Sequence, residues 1–153
     1  MSRPLVFMMG QSPVILPVDR QYARSHLWAA RTESGHRLGF TAYAVKLLGQ
    51  VHHVEWSVEP QAVVERGRTI GYVEASKATS DLYAPVSGRL VETNSRILAD
   101  PTLVNTSLYD AGWLMTIAGD DDGLLSAEQY LAHLEATWPL AQRLLKGQAG
   151  RRK

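Results

Sequence analysis

The sequence predicts a mainly β domain with one long helix at its C-terminal end. Several segments alternate apolar and polar residues with a period of two, the pattern of a strand that buries one face. Glycines at Gly35, Gly67 and Gly88 mark short turns between such segments, as expected where consecutive strands form hairpins. A helical pattern begins near Ser126, and we expect that helix to pack on the outside of the strands.

Length and composition fit one globular domain and exclude several classes of protein. A chain of 153 residues, 45% of them hydrophobic, can build a single core but not two. The net charge of +1 gives no electrostatic reason to expect nucleic acid or an anionic membrane as a partner. No apolar run approaches a membrane span and the N-terminus lacks signal-peptide features, so we expect a cytoplasmic protein. The absence of cysteine excludes disulfides and thiolate metal sites.

The N-terminal part of the chain is predicted to contain an arm followed by a strand. Residues 1–20 include three prolines and are interpreted as an N-terminal arm laid over the domain. Regular structure is expected to begin with a strand near residues 22–30, in which His26 and Trp28 share a face at a spacing of two. We expect Trp28 to belong to the core and the hydrogen bonds of His26 to be satisfied.

Short helices and further strands follow in order. Thr41 is a candidate N-cap because its hydroxyl can accept a free backbone N–H, and Gly49 is a suitable left-handed end for the same short helix. Asp100 is expected to cap a second helical turn, with Pro101 at its first position. Strands are predicted at residues 51–56, 63–64, 70–73, 82–86, 89–94 and 113–117.

The C-terminal helix has recognisable start and stop signals. Ser126 and Gln129 have the spacing of a capping box, in which each side chain binds the backbone N–H of the other residue. Pro139 should kink or restart the helix, and Gly147 should end it. Residues 148–153 are then expected to form a basic tail.

Lys77 is the residue whose surroundings are most specific. It lies between two predicted strands, in the segment VEASKATSDLYAPVSG at residues 73–88. Small polar neighbours place it in an exposed turn, and the chain has only four lysines. The segment resembles the pattern V-E-S-x-K-A-x-S-D-x-x-x-P-x-S-G of the glycine cleavage system H protein family. The matching residues are Glu74, Lys77, Ala78, Ser80, Asp81, Pro85, Ser87 and Gly88.

The resemblance extends from about Tyr22 to Tyr130. Tyr22, His26 and Trp28 fit the family's Y-x-x-x-H-x-W, and residues 103–105 and 112–114 fit its L-V-N and G-W-L. It implies a flattened barrel or sandwich of two antiparallel sheets with short helices and a C-terminal helix. We expect the carrier domain, together with the C-terminal helix, to span residues 21–147.

The resemblance implies that the protein is a non-catalytic carrier subunit. In this family a lysine at a hairpin tip, which corresponds to Lys77 here, holds lipoic acid covalently. The resemblance implies that this lipoyl arm carries an aminomethyl group between enzymes. The implied partners are a lipoate ligase or lipoyltransferase, the pyridoxal-phosphate glycine decarboxylase, the tetrahydrofolate-dependent aminomethyltransferase and the dihydrolipoyl dehydrogenase. No nucleophile–base pair emerges that would indicate an independent enzyme.

Other residues around Lys77 are candidates for contacts with the cofactor or with partner enzymes. Ser76 and Ala78 flank the lysine, where biotin carriers usually have methionines. Glu74 and Asp81 are either recognition charges or solvated residues beside a turn, and His26 is the remaining cofactor-binding candidate. No metal site is expected, because adjacent residues such as His52 and His53 should point their rings to opposite faces and the Asp120–Asp122 loop lacks the ligand spacing of an EF-hand.

Two departures from the family pattern bear on the cargo. Leu27 stands where the family usually has an acidic residue, and Gln50 replaces an aspartate. Leu27 removes a partner for the ammonium of a bound aminomethyl group. Two alternatives therefore stay open at this point: an H-like lipoate carrier for another pathway, such as sulfur oxidation, and an unmodified interaction module on the same fold.

Overall fold

The computed structural model describes residues 3–151, with side chains as far as Arg143. The strands are β1 (Leu5–Met9), β2 (Ser12–Leu16), β3 (Gln21–Tyr22), β4 (Leu27–Thr32), β5 (Gly35–Phe40), β6 (Val51–Trp56), β7 (Val63–Val64), β8 (Thr69–Ala75), β9 (Thr79–Tyr83), β10 (Gly88–Thr93) and β11 (Met115–Gly119). The helices are α1 (Ala42–Leu48), α2 (Ser95–Ala99), α3 (Leu103–Thr106) and α4 (Ala127–Arg151).

Two antiparallel sheets form the body of the domain. The larger sheet has the strand order β3-β4-β5-β11-β10-β7, and the smaller one has the order β6-β8-β9. Alternating residues of both sheets meet in one apolar core, which includes Leu38, Leu90 and Ile117 from the larger sheet and Val54 and Val73 from the smaller. The predicted mainly β fold with two antiparallel sheets is confirmed, and the sheets do not close into a barrel.

Two strands lie a few residues away from their predicted positions. The strand expected at residues 82–86 is Thr79–Tyr83, and the one expected at 113–117 is Met115–Gly119. In the first case Pro85 has no N–H to continue a ladder. The small polar residues from Thr79 onward instead pair with β8, because backbone pairing does not require apolar side chains.

The N-terminal residues form a β-hairpin, so regular structure begins at Leu5 rather than at Tyr22. β1 and β2 pair around Gly10, whose φ is 65°. The inward residue Phe7 is 5% exposed and packs edge-on against Tyr43 of α1 and Trp138 of α4. The hairpin was not predicted because prolines are unfavourable in strands. Pro13 is nevertheless tolerated, because β2 is an edge strand.

Helix ends agree with the predicted caps in α1 and at the start of α4. Thr41 Oγ1 accepts the N–H of Ala44 at 3.2 Å. Ser126 Oγ accepts the N–H of Gln129 at 3.1 Å, and Gln129 Oε1 accepts the N–H of Ser126 at 2.8 Å. The capping box is therefore confirmed in both directions.

Other helix predictions need correction. α4 is continuous through Pro139 and past Gly147, because the loss of one backbone donor does not end it. The predicted tail at 148–153 consequently overlaps the helix, and its last two residues lie outside the described residues. α3 begins at Leu103 instead of Pro101, although Asp100 Oδ1 does accept the N–H of Thr102 at 3.2 Å.

Of the helices described, none has an apolar stretch long enough to cross a bilayer.

Candidate functional site

Lys77 lies at the exposed tip of the hairpin between β8 and β9. The N–H of Ala75 donates to the carbonyl of Ala78 at 3.0 Å, and the chain reverses over the residues between them. Ser76, Lys77 and Ala78 are all exposed, and none of them has a positive φ. The side chain of Lys77 is thus accessible to an enzyme, as its small neighbours predicted.

The backbone of this tip is fixed to the C-terminal end of α1. The N–H of Lys77 donates to the carbonyl of Leu48 at 2.9 Å, and the N–H of Ser76 donates to the carbonyl of Gln50 at 2.8 Å. Ser76 Oγ accepts the N–H of Gln50 at 2.9 Å. The Lys77 ammonium donates to the carbonyl of Lys46 at 3.2 Å. The tip therefore combines a fixed backbone with an exposed amine.

Gly49 makes this close approach possible. Its φ of 83° is in the left-handed region, where L side chains are strained. A Cβ at this position would also collide with Ser76 Oγ. The predicted helix end at Gly49 is confirmed, and the same glycine lets α1 meet the lysine hairpin.

An open groove of about 390 Å³ runs beside the hairpin. One wall is β9 with the residue that precedes it, and the others come from α1 and from the turn before β4. Most of its lining is apolar and is contributed by Leu27, Phe40, Ala44, Leu47, Leu48, Ala78 and Leu82. The polar lining includes His26, Ser80 and Asp81. A long apolar chain attached at Lys77 fits the chemistry of this groove.

His26 lies in the turn between β3 and β4, with a φ of 71°, and not within a strand as predicted. Its Nδ1 is hydrogen-bonded to the Tyr130 hydroxyl at 2.8 Å, which is also bonded to Thr41 Oγ1 at 3.0 Å. Burial, together with the nearby His133, lowers the pKa of His26 to about 4. The ring is therefore neutral at pH 7, and its hydrogen bond is satisfied as expected.

Trp28 belongs to the core, as predicted. It is 1% exposed, and its Nε1–H donates to the carbonyl of Leu108 at 3.1 Å.

The remaining candidates separate into two groups. Ala78, Asp81 and His26 line the groove, whereas Glu74 is exposed on β8 outside its lining. Neither carboxylate forms an ion pair within the described part of the chain. Sequence reasoning missed the groove residue Leu47, because its helical spacing indicated only a core-facing side of α1.

The regular alternation from which the arrangement of the two adjacent histidines was predicted is interrupted. A bulge at His52 interrupts the alternation of β6, since Val51 pairs with Ala75 and His53 already pairs with Glu74. Both imidazoles are exposed. Within residues 3–151, no group of three or more metal-binding side chains comes together.

A mainly β domain that presents one lysine on a fixed hairpin, next to an apolar groove, has the architecture of a carrier domain with a covalently attached arm. A family model described as Glycine cleavage H-protein matches residues 20–137. The chain belongs to the glycine cleavage H-protein family, whose members carry lipoate.

Individual relatives agree with the family match. The glycine cleavage system H protein of Thermus thermophilus is 41% identical over 125 residues, which cover 79% of this chain and 97% of the relative. That of Alcanivorax borkumensis is 38% identical with the same coverage. A crystal structure of a glycine cleavage system H protein from Mycobacterium marinum superposes with a TM-score of 0.67 at 35% identity, covering 76% of this chain and 97% of that one.

Proposed function

We propose that this protein is a lipoyl-lysine carrier of glycine cleavage, with lipoate attached to Lys77. In this function it accepts an aminomethyl group from a glycine decarboxylase and presents it to a tetrahydrofolate-dependent aminomethyltransferase. A lipoate ligase or lipoyltransferase loads the cofactor, and a dihydrolipoyl dehydrogenase reoxidises it. The protein itself is a non-catalytic subunit.

The observation that carries the proposal is the geometry of the Lys77 hairpin. The backbone N–H of Lys77 is bound to the end of α1 and that of Ser76 to Gln50 just after it, while the amine extends from an exposed turn. An enzyme can therefore reach the amine without unfolding any element. Acylation converts the ammonium to an amide, removes one positive charge and keeps an N–H that can still donate to the Lys46 carbonyl.

Lipoate, when bound, supplies a dithiolane that accepts a one-carbon group on one sulfur. The contribution of the chain is to tether that group and to shield it. A tether raises the effective concentration of the cargo at each partner's active site, because transfer becomes quasi-intramolecular. The groove supports shielding, since its lining of Leu27, Phe40 and Leu47 excludes water from an apolar arm.

The groove lining also provides little charge to hold the ammonium of a bound aminomethyl group. Leu27 is 2% exposed and contributes no charge to the lining. The carboxylate in the lining is that of Asp81, which is exposed and therefore screened by water. We expect the loaded arm to exchange its aminomethyl group with partners but to lose it faster than if a carboxylate occupied position 27.

Lipoylation at Lys77 is tested by incubating the protein with lipoate, ATP and a lipoate ligase. Intact mass should rise by one lipoyl group, and peptide mapping should place it on Lys77. Lys77→Arg should retain the fold and lose all labelling, because the hairpin tip is exposed. Lys46→Arg is the matched control, since Lys46 is the neighbouring lysine, and it should label normally. Labelling that persists in Lys77→Arg would contradict the assignment.

The glycine cleavage role is tested by reconstitution with the decarboxylase of the same organism. The lipoylated protein should support exchange between bicarbonate and the carboxyl carbon of glycine, and the unmodified protein should not. A lipoylated protein that supports no exchange would favour a carrier for another pathway. A protein that accepts no lipoate would instead favour an unmodified interaction module.

A further inference from the structure

We propose that Asn105 is a positioning residue for the Lys77 hairpin. Its side chain fixes the segment between α1 and β6, and that segment in turn holds the backbone of Ser76, the residue next to Lys77. The inference rests on the proposed function for its biochemical meaning, but the contacts that carry it are independent of lipoylation.

The side-chain amide of Asn105 binds this segment at two points. Its Nδ2 donates to the carbonyl of Gly49 at 3.1 Å, and its Oδ1 accepts the N–H of Val51 at 2.9 Å. The residue between these two points is Gln50, whose carbonyl accepts the N–H of Ser76 and whose N–H donates to Ser76 Oγ. The amide therefore binds the same two peptide groups that hold Ser76, the residue before the lysine.

The hairpin depends on such support because its turn is not self-sufficient. Two-residue hairpin loops favour turns with positive φ, whose twist matches that of the strands, and these turns favour glycine or asparagine. Ser76, Lys77 and Ala78 all lack a positive φ. The tip is instead stabilised from outside by its hydrogen bonds to Leu48 and Gln50.

Asn105 itself is held firmly. It lies in α3, where its N–H donates to the carbonyl of Thr102 at 3.0 Å. The preceding residue, Val104, is fully buried in the core between the sheets. A side-chain amide is suited to this position because it donates and accepts at once, whereas a carboxylate only accepts and an aliphatic residue does neither.

Loss of the amide should release the tip without unfolding the domain. Two hydrogen bonds that fix the partner of Ser76 are removed, so the amide of Ser76 should exchange with solvent about tenfold faster. A lysine whose competent arrangement is populated only part of the time has a weaker apparent affinity for its modifying enzyme. The KM for lipoylation should therefore rise about threefold to tenfold, with kcat unchanged.

The test compares three variants of the full chain by residue-resolved hydrogen exchange and lipoylation kinetics. Asn105→Ala removes both contacts, and Asn105→Asp retains the acceptor for Val51 and should have an intermediate effect. Asn94→Ala is the matched control. Asn94 also uses both side-chain atoms, donating to the carbonyls of Ala111 and Trp113 and accepting from the N–H of Arg96, but it has no contact with the hairpin.

The proposal predicts faster exchange at Ser76 and a raised KM in both Asn105 variants. Asn94→Ala should lower global stability and leave both quantities at wild-type values. Equal exchange in Asn105→Ala and wild type would overturn the proposal, as would an equal rise in KM in Asn94→Ala. If wild type accepts no lipoate at Lys77, the carrier function fails, while hydrogen exchange still decides whether Asn105 anchors the tip.

Discussion

At the scale of single residues, the site combines a fixed backbone with a reactive group exposed to solvent. The N–H of Lys77 is bonded to the end of α1, yet its side chain extends from an exposed turn. His26 differs from Lys77, because its ring is largely enclosed by Tyr43, Tyr130 and His133. The amine that the proposed function requires is therefore exposed, whereas the neighbouring histidine is held inside the packing.

Gly49→Ala should destabilise the protein by about 1–3 kcal/mol, through left-handed strain and a collision with Ser76 Oγ. Urea unfolding measures the change. Gly67→Ala is the matched control, because Gly67 has a φ of 88° and an added Cβ there would meet open space. It shares the strain but not the collision. Equal losses in the two variants would show that contact with the hairpin does not matter.

The pKa of His26 predicts a pH dependence of stability. Burial lowers that pKa from 6.5 to about 4, so the unfolded chain binds the proton more tightly than the folded one. Stability should be fully present above pH 6.5 and fall as the pH decreases toward 4, by about 1–3 kcal/mol. His26→Asn should flatten this decrease, because asparagine tolerates the positive φ and carries no charge.

The measurement is the free energy of unfolding in urea between pH 7 and pH 4. His52→Asn, which replaces an exposed histidine, should retain the wild-type slope. Burial also lowers the pKa of His36, so a smaller slope should remain in His26→Asn. An unchanged slope in His26→Asn would show that His26 is not the source of the pH dependence.

At the scale of elements, the N-terminal hairpin and α4 form a second core beside the one between the sheets. Phe7, Val14 and Leu16 pack with Tyr130 and Leu134 in this cluster. The hairpin lies outside the family match, which begins at residue 20. This hairpin outside the matched residues is therefore part of the packing of the domain.

Phe7→Ala should cost about 3 kcal/mol of stability, since it removes a buried ring that contacts both Tyr43 and Trp138. Val6→Ala is the matched control on the same strand, because Val6 is 49% exposed and its truncation should change stability by less than about 0.5 kcal/mol. Unfolding in urea distinguishes the two. A small effect of both variants would mean that the hairpin is not integral to the fold.

At the scale of the whole molecule, two sheets, α1 and the turn before β4 converge on one groove next to Lys77. The proposed carrier domain at residues 21–147 supplies every residue of that groove. Its floor is apolar, and the exposed Asp81 carries the charge at its margin. The groove is therefore better suited to an uncharged arm than to one that ends in an ammonium group.

Leu27→Glu should slow the loss of the aminomethyl group from the loaded protein, because a carboxylate there can pair with its ammonium. A charge-assisted contact of about 1.5–3 kcal/mol corresponds to roughly a tenfold to hundredfold slower loss. Release of formaldehyde and ammonia from the isolated loaded protein measures it. Leu27→Gln controls for polarity without charge, and equal rates for the Glu and Gln variants would refute an electrostatic role.

The sequence by itself determined the mainly β fold and the caps of α1 and α4, and it singled out Lys77 as the candidate for modification, because each depends on local pattern or on a contiguous motif. Alternation, the Ser126–Gln129 spacing and the segment around Lys77 can all be recognised without tertiary contacts. Only the tertiary structure decided where strand pairing starts and stops, since the polar strand β9 gains its partner from β8. It alone brought Asn105 to Gly49, 56 residues apart in sequence, because long-range hydrogen bonds leave no periodic signal.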